Sequence, residues 1–195
     1  MCGRYFIEES DADEELQLVI AAINRRDVDQ RVGLKCAGEV FPTDVVPVIA
    51  NSRSLRPAVF AMQWGYALDG KTIINARSET AASRPLFCDG MAQRRCLIPA
   101  SNYFEWERRG KERVKYAIRP TAREAMYMAG IYRILAGRPE FLILTREPTQ
   151  SIAFIHDRMP VMLPAAALAD WLDPRRDAQA VLDFSVSEVT FRPAA

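Results

Sequence analysis

The sequence predicts a single α+β domain built on a curved, mostly antiparallel sheet system with helices outside it. Runs rich in β-branched and aromatic residues recur at 45–49, 58–64, 114–118, 126–132, 141–145 and 185–191, several alternating in polarity as half-buried strands do. Helical signals, by contrast, are few and short. The 195 residues are 49% hydrophobic, enough to bury a sizeable core, and no repeat, low-complexity stretch or linker divides them, so the expected domain spans 1–195.

Taken in order, Ser10 and Asp13 resemble a capping box ahead of Leu16, Val19, Ile20 and Ile23 at helical spacing, which predicts a surface helix. After the strands at 45–49 and 58–64 comes Ile73-Ile74-Asn75-Ala76-Arg77-Ser78-Glu79-Thr80, an apolar strand ending in an amide, a guanidinium and a carboxylate. Strand ends are where sites are commonly built. A short helix is expected after Pro85. Next, Ile98-Pro99-Ala100-Ser101-Asn102-Tyr103-Phe104-Glu105-Trp106 sets an acid among aromatics, where desolvation would raise its pKa and fit it for proton transfer. Alternation, which puts Tyr103, Glu105 and Glu107 on one face, suits an exposed acid on a half-buried strand as well. Arg108-Arg109-Gly110-Lys111-Glu112-Arg113 reads as a solvated hairpin loop leading into 114–118. Short helices are expected near 149–154 and, after Pro164, at 165–172. Between them Ile155-His156-Asp157-Arg158-Met159-Pro160-Val161-Met162 holds the only histidine. A lone His is commonly structural; His-Asp-Arg beside a Pro-terminated turn also suits an acid/base and anion-binding cluster.

Composition excludes several classes. No run of about 18 apolar residues exists, and Met1-Cys2-Gly3-Arg4-Tyr5-Phe6 lacks the apolar core of a secretory signal, so a soluble cytoplasmic protein without membrane contact is expected. The formal net charge of +1 argues against bulk attachment to nucleic acid, while 26 Lys plus Arg permit a local basic groove. Arg4, Arg77, Arg84, Arg94, Arg95 and Arg158 stand beside the polar clusters. Cys2, Cys36, Cys88 and Cys96 are widely spaced, so neither a zinc site nor a disulfide framework is expected, and no cofactor. Cys36, Cys88 and Cys96 are expected to pack in the core as small hydrophobes.

The N-terminus carries the most distinctive chemistry. Removal of Met1 would leave Cys2 with both a free α-amine and a thiol, whose ordinary pKa values of about 7.7–8.0 and 8.5 make both usable nucleophiles. An amine attacks an aldehyde to give a Schiff base, and the adjacent thiol can close it to a five-membered thiazolidine; toward an acyl group the thiol acts instead as an N-terminal nucleophile. The dipeptide alone is equally consistent with an accidental cysteine.

Together, Cys2-Gly3-Arg4, Asn75-Ala76-Arg77-Ser78-Glu79-Thr80, Arg94-Arg95-Cys96-Leu97-Ile98-Pro99-Ala100, Tyr103-Phe104-Glu105-Trp106, Ile143-Leu144-Thr145, His156-Asp157-Arg158-Met159-Pro160-Val161 and Trp171-Leu172 resemble, in this order, the SRAP (SOS response-associated peptidase) family. The resemblance implies one SRAP-like domain with a barrel-like core and peripheral helices. It also implies a monomer, nucleoid-associated on DNA damage, that shields abasic sites in single-stranded DNA. Cys2 would bond covalently to the ring-opened deoxyribose aldehyde, Asn75 would hold the amine or the ring, Glu105 would handle the amine proton, and His156 would act on the sugar oxygen. Arg4, Arg77 and Arg158 would take the flanking phosphates, with Trp64 and Trp106 as DNA-binding aromatics. Two departures stand out: Tyr66-Ala67-Leu68-Asp69-Gly70-Lys71-Thr72 is shorter than usual and lacks a Pro and a second Trp, and Glu39 stands where an Asn is common. The same four residues could instead form an N-terminal-nucleophile peptidase or amidase that removes Met1, and the tryptophans and arginines a non-catalytic single-strand binder.

Overall fold

The computed structural model describes residues 2–8, 33–122 and 125–194. Its strands are β1 (Arg4–Ile7), β2 (Gly38–Val40), β3 (Val45–Asn51), β4 (Pro57–Trp64), β5 (Tyr66–Leu68), β6 (Lys71–Ile73), β7 (Asn75–Arg77), β8 (Arg95–Ala100), β9 (Asn102–Arg109), β10 (Glu112–Pro120), β11 (Met126–Leu135), β12 (Arg138–Arg146), β13 (Met159–Pro160), β14 (Met162–Leu163) and β15 (Val189–Pro193). The described helices are short: α1 (Ser78–Ala81), α2 (Cys88–Gln93), α3 (Leu168–Leu172) and α4 (Ala178–Leu182).

Strands β12, β4, β3, β8 and β11 pair in that order, and β11 pairs back onto β12, closing a five-stranded barrel. Closure removes the exposed edges that an open sheet would leave. All these pairs are antiparallel except β4 with β12, where Phe141 stands opposite Trp64. Cys96, Ile98, Met128, Phe141 and Ile143 fill the interior. Their neighbours Leu97, Ala129, Leu142 and Leu144 face outward beneath Trp171, Leu172, Val181 and Leu182 of α3 and α4. Because both faces are covered, β8 is buried at every position rather than alternating. Gly130 is required where β11 meets β12, since a Cβ there would stand 2.6 Å from the Leu142 carbonyl oxygen.

A second sheet, ordered β15-β10-β9-β1-β2, lies against the barrel. Its pairs are antiparallel, with Arg4 opposite Phe104 and Tyr5 opposite Tyr103. Tyr5, Tyr103, Tyr116 and Ile118 join the same buried cluster as the barrel interior, so the alternate residues Arg4, Phe6, Asn102, Trp106 and Lys115 lie on the opposite face. The segment after Trp64 forms a tight hairpin of β5 and β6. Asp69 and Gly70 have φ of 48° and 73°, the paired positive values that a two-residue type I′ turn demands.

The mostly β architecture with peripheral helices agrees with the sequence reading, and the strands expected at 45–49, 58–64, 114–118, 126–132 and 141–145 form with longer bounds. The run 185–191 does so only from Val189, because the Ser185 and Val186 amides donate to Leu182 and Met162 carbonyls as the chain leaves α4. The helix expected at 165–172 is a 3₁₀ turn at Ala165–Ala167 followed by α3, and that expected near 149–154 is a 3₁₀ turn at Gln150–Ile152. The capping box at Ser10 and Asp13 and the helix behind it lie outside the described residues. Cys96 packs in the core as expected, Cys36 is half-buried, and Cys88 is exposed, its thiol turned toward the Pro85 carbonyl at the mouth of α2. No described helix is long and apolar enough to cross a membrane.

Candidate functional site

Cys2 precedes β1, which is held between β2 and β9 in the second sheet. Asn75 opens β7, which pairs in parallel with β12 of the barrel, Asn75 opposite Ile143. The two meet where sheet and barrel touch: Asn75 Nδ2 donates to the Cys2 carbonyl oxygen at 2.9 Å, with both residues buried. The Asn75 Oδ1 is buried and accepts from no described residue, so it can accept from a nitrogen brought beside it. The Cys2 thiol has no exposed surface, and burial, reinforced by the negative charge of Glu105, pushes its pKa far above the ordinary thiol range.

Glu105 sits mid-way along β9, opposite Tyr116, and is only 3% exposed. That burial settles between its two readings: it is an interior acid. Burial raises its carboxyl pKa, opposed in part by the positive amino terminus and by His156. His156 follows the 3₁₀ turn Gln150–Ile152, and its Nδ1 accepts the Arg158 backbone N–H at 3.0 Å. The Asp157 carboxylate lies 2.8 Å from the same nitrogen. The two contacts make opposite demands, since the amide needs a lone pair and the carboxylate needs a proton. Asp157 is 84% exposed and therefore well solvated, so the amide governs, and in the neutral ring the proton resides on Nε2. Glu105 and His156 line one cleft of about 430 Å³ together with Trp106, Arg108 and Arg113. A second cleft, of about 590 Å³, opens beside Asn75 and is bordered by Arg77, Arg84, Phe87 and Thr145. Four segments remote in sequence thus bring a thiol, an amide, a raised carboxyl and an imidazole to one region.

The family model described as SOS response associated peptidase (SRAP) matches residues 1–192. The chain belongs to the SRAP family. The abasic site processing protein YoaM of Bacillus subtilis is 30% identical over 191 residues, covering 90% of this chain and 80% of YoaM. The abasic site processing protein YedK of Escherichia coli is 28% identical, covering 88% of this chain and 79% of its own length. A crystal structure of a Bordetella bronchiseptica protein matches with a TM-score of 0.75 at 20% identity over the full length of both chains, a likeness of fold.

Within this SRAP chain the basic and aromatic residues occupy three kinds of place. Arg77 is exposed on the rim of the second cleft with no ionic partner among the described residues. Arg4 is held 3.2 Å from Glu39, and its guanidinium lies between the rings of Phe41 and Trp106, at 4.7 and 5.0 Å. Glu39 also pairs with Lys115 at 3.2 Å. Arg158 is only 10% exposed and donates to Glu79 Oε2 and to the Thr145 carbonyl, both at 2.7 Å, so an incoming phosphate would compete with a carboxylate. Arg95 is structural, donating to the carbonyls of Met91, Asp173 and Arg176.

Trp64 corrects an expectation: it has no exposed surface, stacks on Phe141 at 6.4 Å and donates from Nε1 to the Ile74 carbonyl. A ring enclosed on all sides offers no face to a base, whereas Trp106 is half-buried under Arg4 and keeps part of one. Thr145 has no site role in the sequence beyond its place in Ile143-Leu144-Thr145, yet it is fully buried beside Asn75 and Arg77, and its carbonyl anchors Arg158. A hydroxyl closing the apolar run Phe141-Leu142-Ile143-Leu144 was the available signal.

Proposed function

We propose that this protein acts as a monomer on single-stranded DNA, where it senses abasic sites and shields them through a covalent link to mature Cys2. The observation that carries the reading is the bond from Asn75 Nδ2 to the Cys2 carbonyl, because it fixes the N-terminal residue beside Glu105 in a region that His156 also lines. Family membership and relatives named abasic site processing proteins support it.

The step balances without an oxidant. Once Met1 is removed, the Cys2 α-amine adds to the aldehyde carbon of the ring-opened sugar, forming a C–N bond, and the aldehyde oxygen departs as water to leave an imine. The thiol sulfur then adds to the imine carbon while its proton passes to nitrogen, closing the thiazolidine. Glu105, with its raised pKa, removes a proton from the attacking ammonium and returns one to the departing oxygen. The Asn75 Oδ1 accepts from the amine, and a proton on His156 Nε2 is available to the sugar oxygen as the ring opens.

Incubation of mature protein with an oligonucleotide bearing one abasic site should give a denaturant-stable adduct. Cys2→Ser should lose it while retaining non-covalent binding and a borohydride-trappable imine. A stable adduct from the serine variant at the parent's yield would overturn the thiazolidine. No adduct from the parent, with hydrolysis of amide substrates instead, would return the site to the N-terminal-nucleophile peptidase reading.

A further inference from the structure

The outer face of the second sheet carries a pocket that the proposed chemistry leaves unused. Of about 370 Å³, it is lined by Phe6, Glu8, Asn102, Arg119, Phe191 and Arg192 among others. Asn102 Nδ2 is buried without an acceptor, and neither Arg119 nor Arg192 has an acid partner among the described residues. An orphaned buried amide costs free energy unless something completes it. Here one amide and two guanidinium groups line a single concavity, the donor set that matches an oxyanion. Glu8 also lines the pocket but is engaged with another group, and its charge leaves the three ionic side chains with a net charge of +1. One positive charge matches a phosphodiester, which carries a single negative charge, better than a dianionic phosphomonoester. Phe6, half-buried on the same face, adds an apolar wall for the sugar or base.

Position supports the same ligand. Arg4 stands opposite Phe104, Phe104 opposite Ala117, and Ala117 opposite Arg192, so Arg4 and Arg192 share one row of the sheet three strands apart. At about 4.8 Å per strand that is roughly 14 Å, a few nucleotides of extended strand. Phe6, Phe104 and Lys115 bridge the interval: the Phe6 and Phe104 rings meet at 6.4 Å, and the Lys115 ammonium lies 4.1 Å from the Phe104 centroid.

We propose that Asn102, Arg119 and Arg192 form a phosphodiester subsite on the outer face of the second sheet. It holds a backbone phosphate of the strand whose lesion lies at Cys2, a placement that rests on the function proposed above; binding of the diester itself does not.

The test uses the full chain with the dinucleotide TpT, thymidine 5′-monophosphate and thymidine as probes, followed through the Asn102 side-chain amide by NMR. TpT should shift that signal saturably and thymidine should not. Arg119→Gln with Arg192→Gln should abolish the response, with an unchanged amide spectrum elsewhere reporting an intact fold. No response to TpT, or one that survives the double substitution, overturns the subsite. An equal or stronger response to the monophosphate overturns the diester preference and points to a free nucleotide. On a longer unmodified single strand the double variant should show a salt dependence shallower by about 0.7 in log–log slope per lost phosphate, and an unchanged slope overturns the strand placement. Crosslinking to a short abasic oligonucleotide should be unaffected. If the parent forms no crosslink yet TpT binds, the function proposed above fails and the subsite stands.

Discussion

Replacing Trp64 and Trp106 in turn should separate a folding residue from a binding residue that the sequence ranks alike. Trp64 is fully enclosed, with Tyr5 at 5.3 Å, Phe141 at 6.4 Å and a hydrogen bond of 3.0 Å to Ile74. Truncating a buried aromatic to alanine costs about 3–5 kcal/mol through lost transfer energy and the cavity left behind. For a domain of this size each kcal/mol lowers the melting temperature by about 2–4 °C, so Trp64→Ala should melt roughly 6–20 °C lower. Trp64→Phe keeps most of the volume and should melt closer to the parent. In a temperature range where each variant remains folded, neither should change affinity for single-stranded DNA. Trp106→Ala should behave in the opposite way, since the ring is half-buried and packs chiefly under Arg4. Loss of one base–aromatic stack, about 1–3 kcal/mol, corresponds to roughly 5–150-fold weaker binding at a nearly unchanged melting temperature. Melting followed by circular dichroism, together with fluorescence anisotropy on a labelled strand, reads both quantities. A Trp64→Phe variant that melts normally but loses DNA affinity would refute this division, because it would require the enclosed ring to reach the nucleic acid.

The four chemical residues make further distinctions. Asn75→Ala leaves the buried Cys2 carbonyl without its donor, so it should cost about 1–3 kcal/mol in urea unfolding and slow adduct formation; normal values of both would make the bond incidental. Glu105→Gln should slow crosslinking by about 10²–10⁴-fold in single-turnover assays. Because burial raises the Glu105 pKa above its unfolded value, the native state keeps a proton that the unfolded chain has released, and the associated stability is present in acid and lost as pH rises through the folded pKa. The glutamine variant should therefore gain stability relative to the parent as pH rises; a stability difference that does not change with pH would contradict the raised pKa. His156→Ala should slow both ring opening and adduct reversal while melting temperature and DNA affinity hold, and a parallel loss of all four would make the imidazole structural.

Much of the barrel is legible because its strands announce themselves as apolar runs. Residues 141–145 read directly as a strand, and the charged turn around Gly110 reads as the loop of a hairpin, joining β9 to β10. Strand β8 is harder to read. Its six buried residues begin with Arg95 and include Pro99, both of which argue against a central strand, and the carbonyls of Met91, Asp173 and Arg176, with the Trp171 ring 5.3 Å away, make the guanidinium tolerable there. At the site, Cys2, Asn75, Glu105 and His156 are visible as residue types in the right order, but their orientation is not. Nor are the acids that occupy the arginines. Glu39 is 35 residues from Arg4, and Glu79 is 79 from Arg158, so each pair is a product of sheet register and chain crossing that no local pattern encodes. The enclosure of Trp64 is hidden for the same reason: an indole serves equally well in a core or on a binding face, and the parallel alignment of β4 with β12 decides which.

The burial of Cys2 also bears on how the protein survives oxidants and electrophiles. Peroxide and alkylating agents act on thiolates, and every step toward sulfenic and sulfinic acid begins from that form. A thiol with no exposed surface and a strongly raised pKa supplies almost none of it. The chain that still carries Met1 therefore stores its nucleophile in a chemically silent state, leaving Cys88, on the surface, to meet such reagents first.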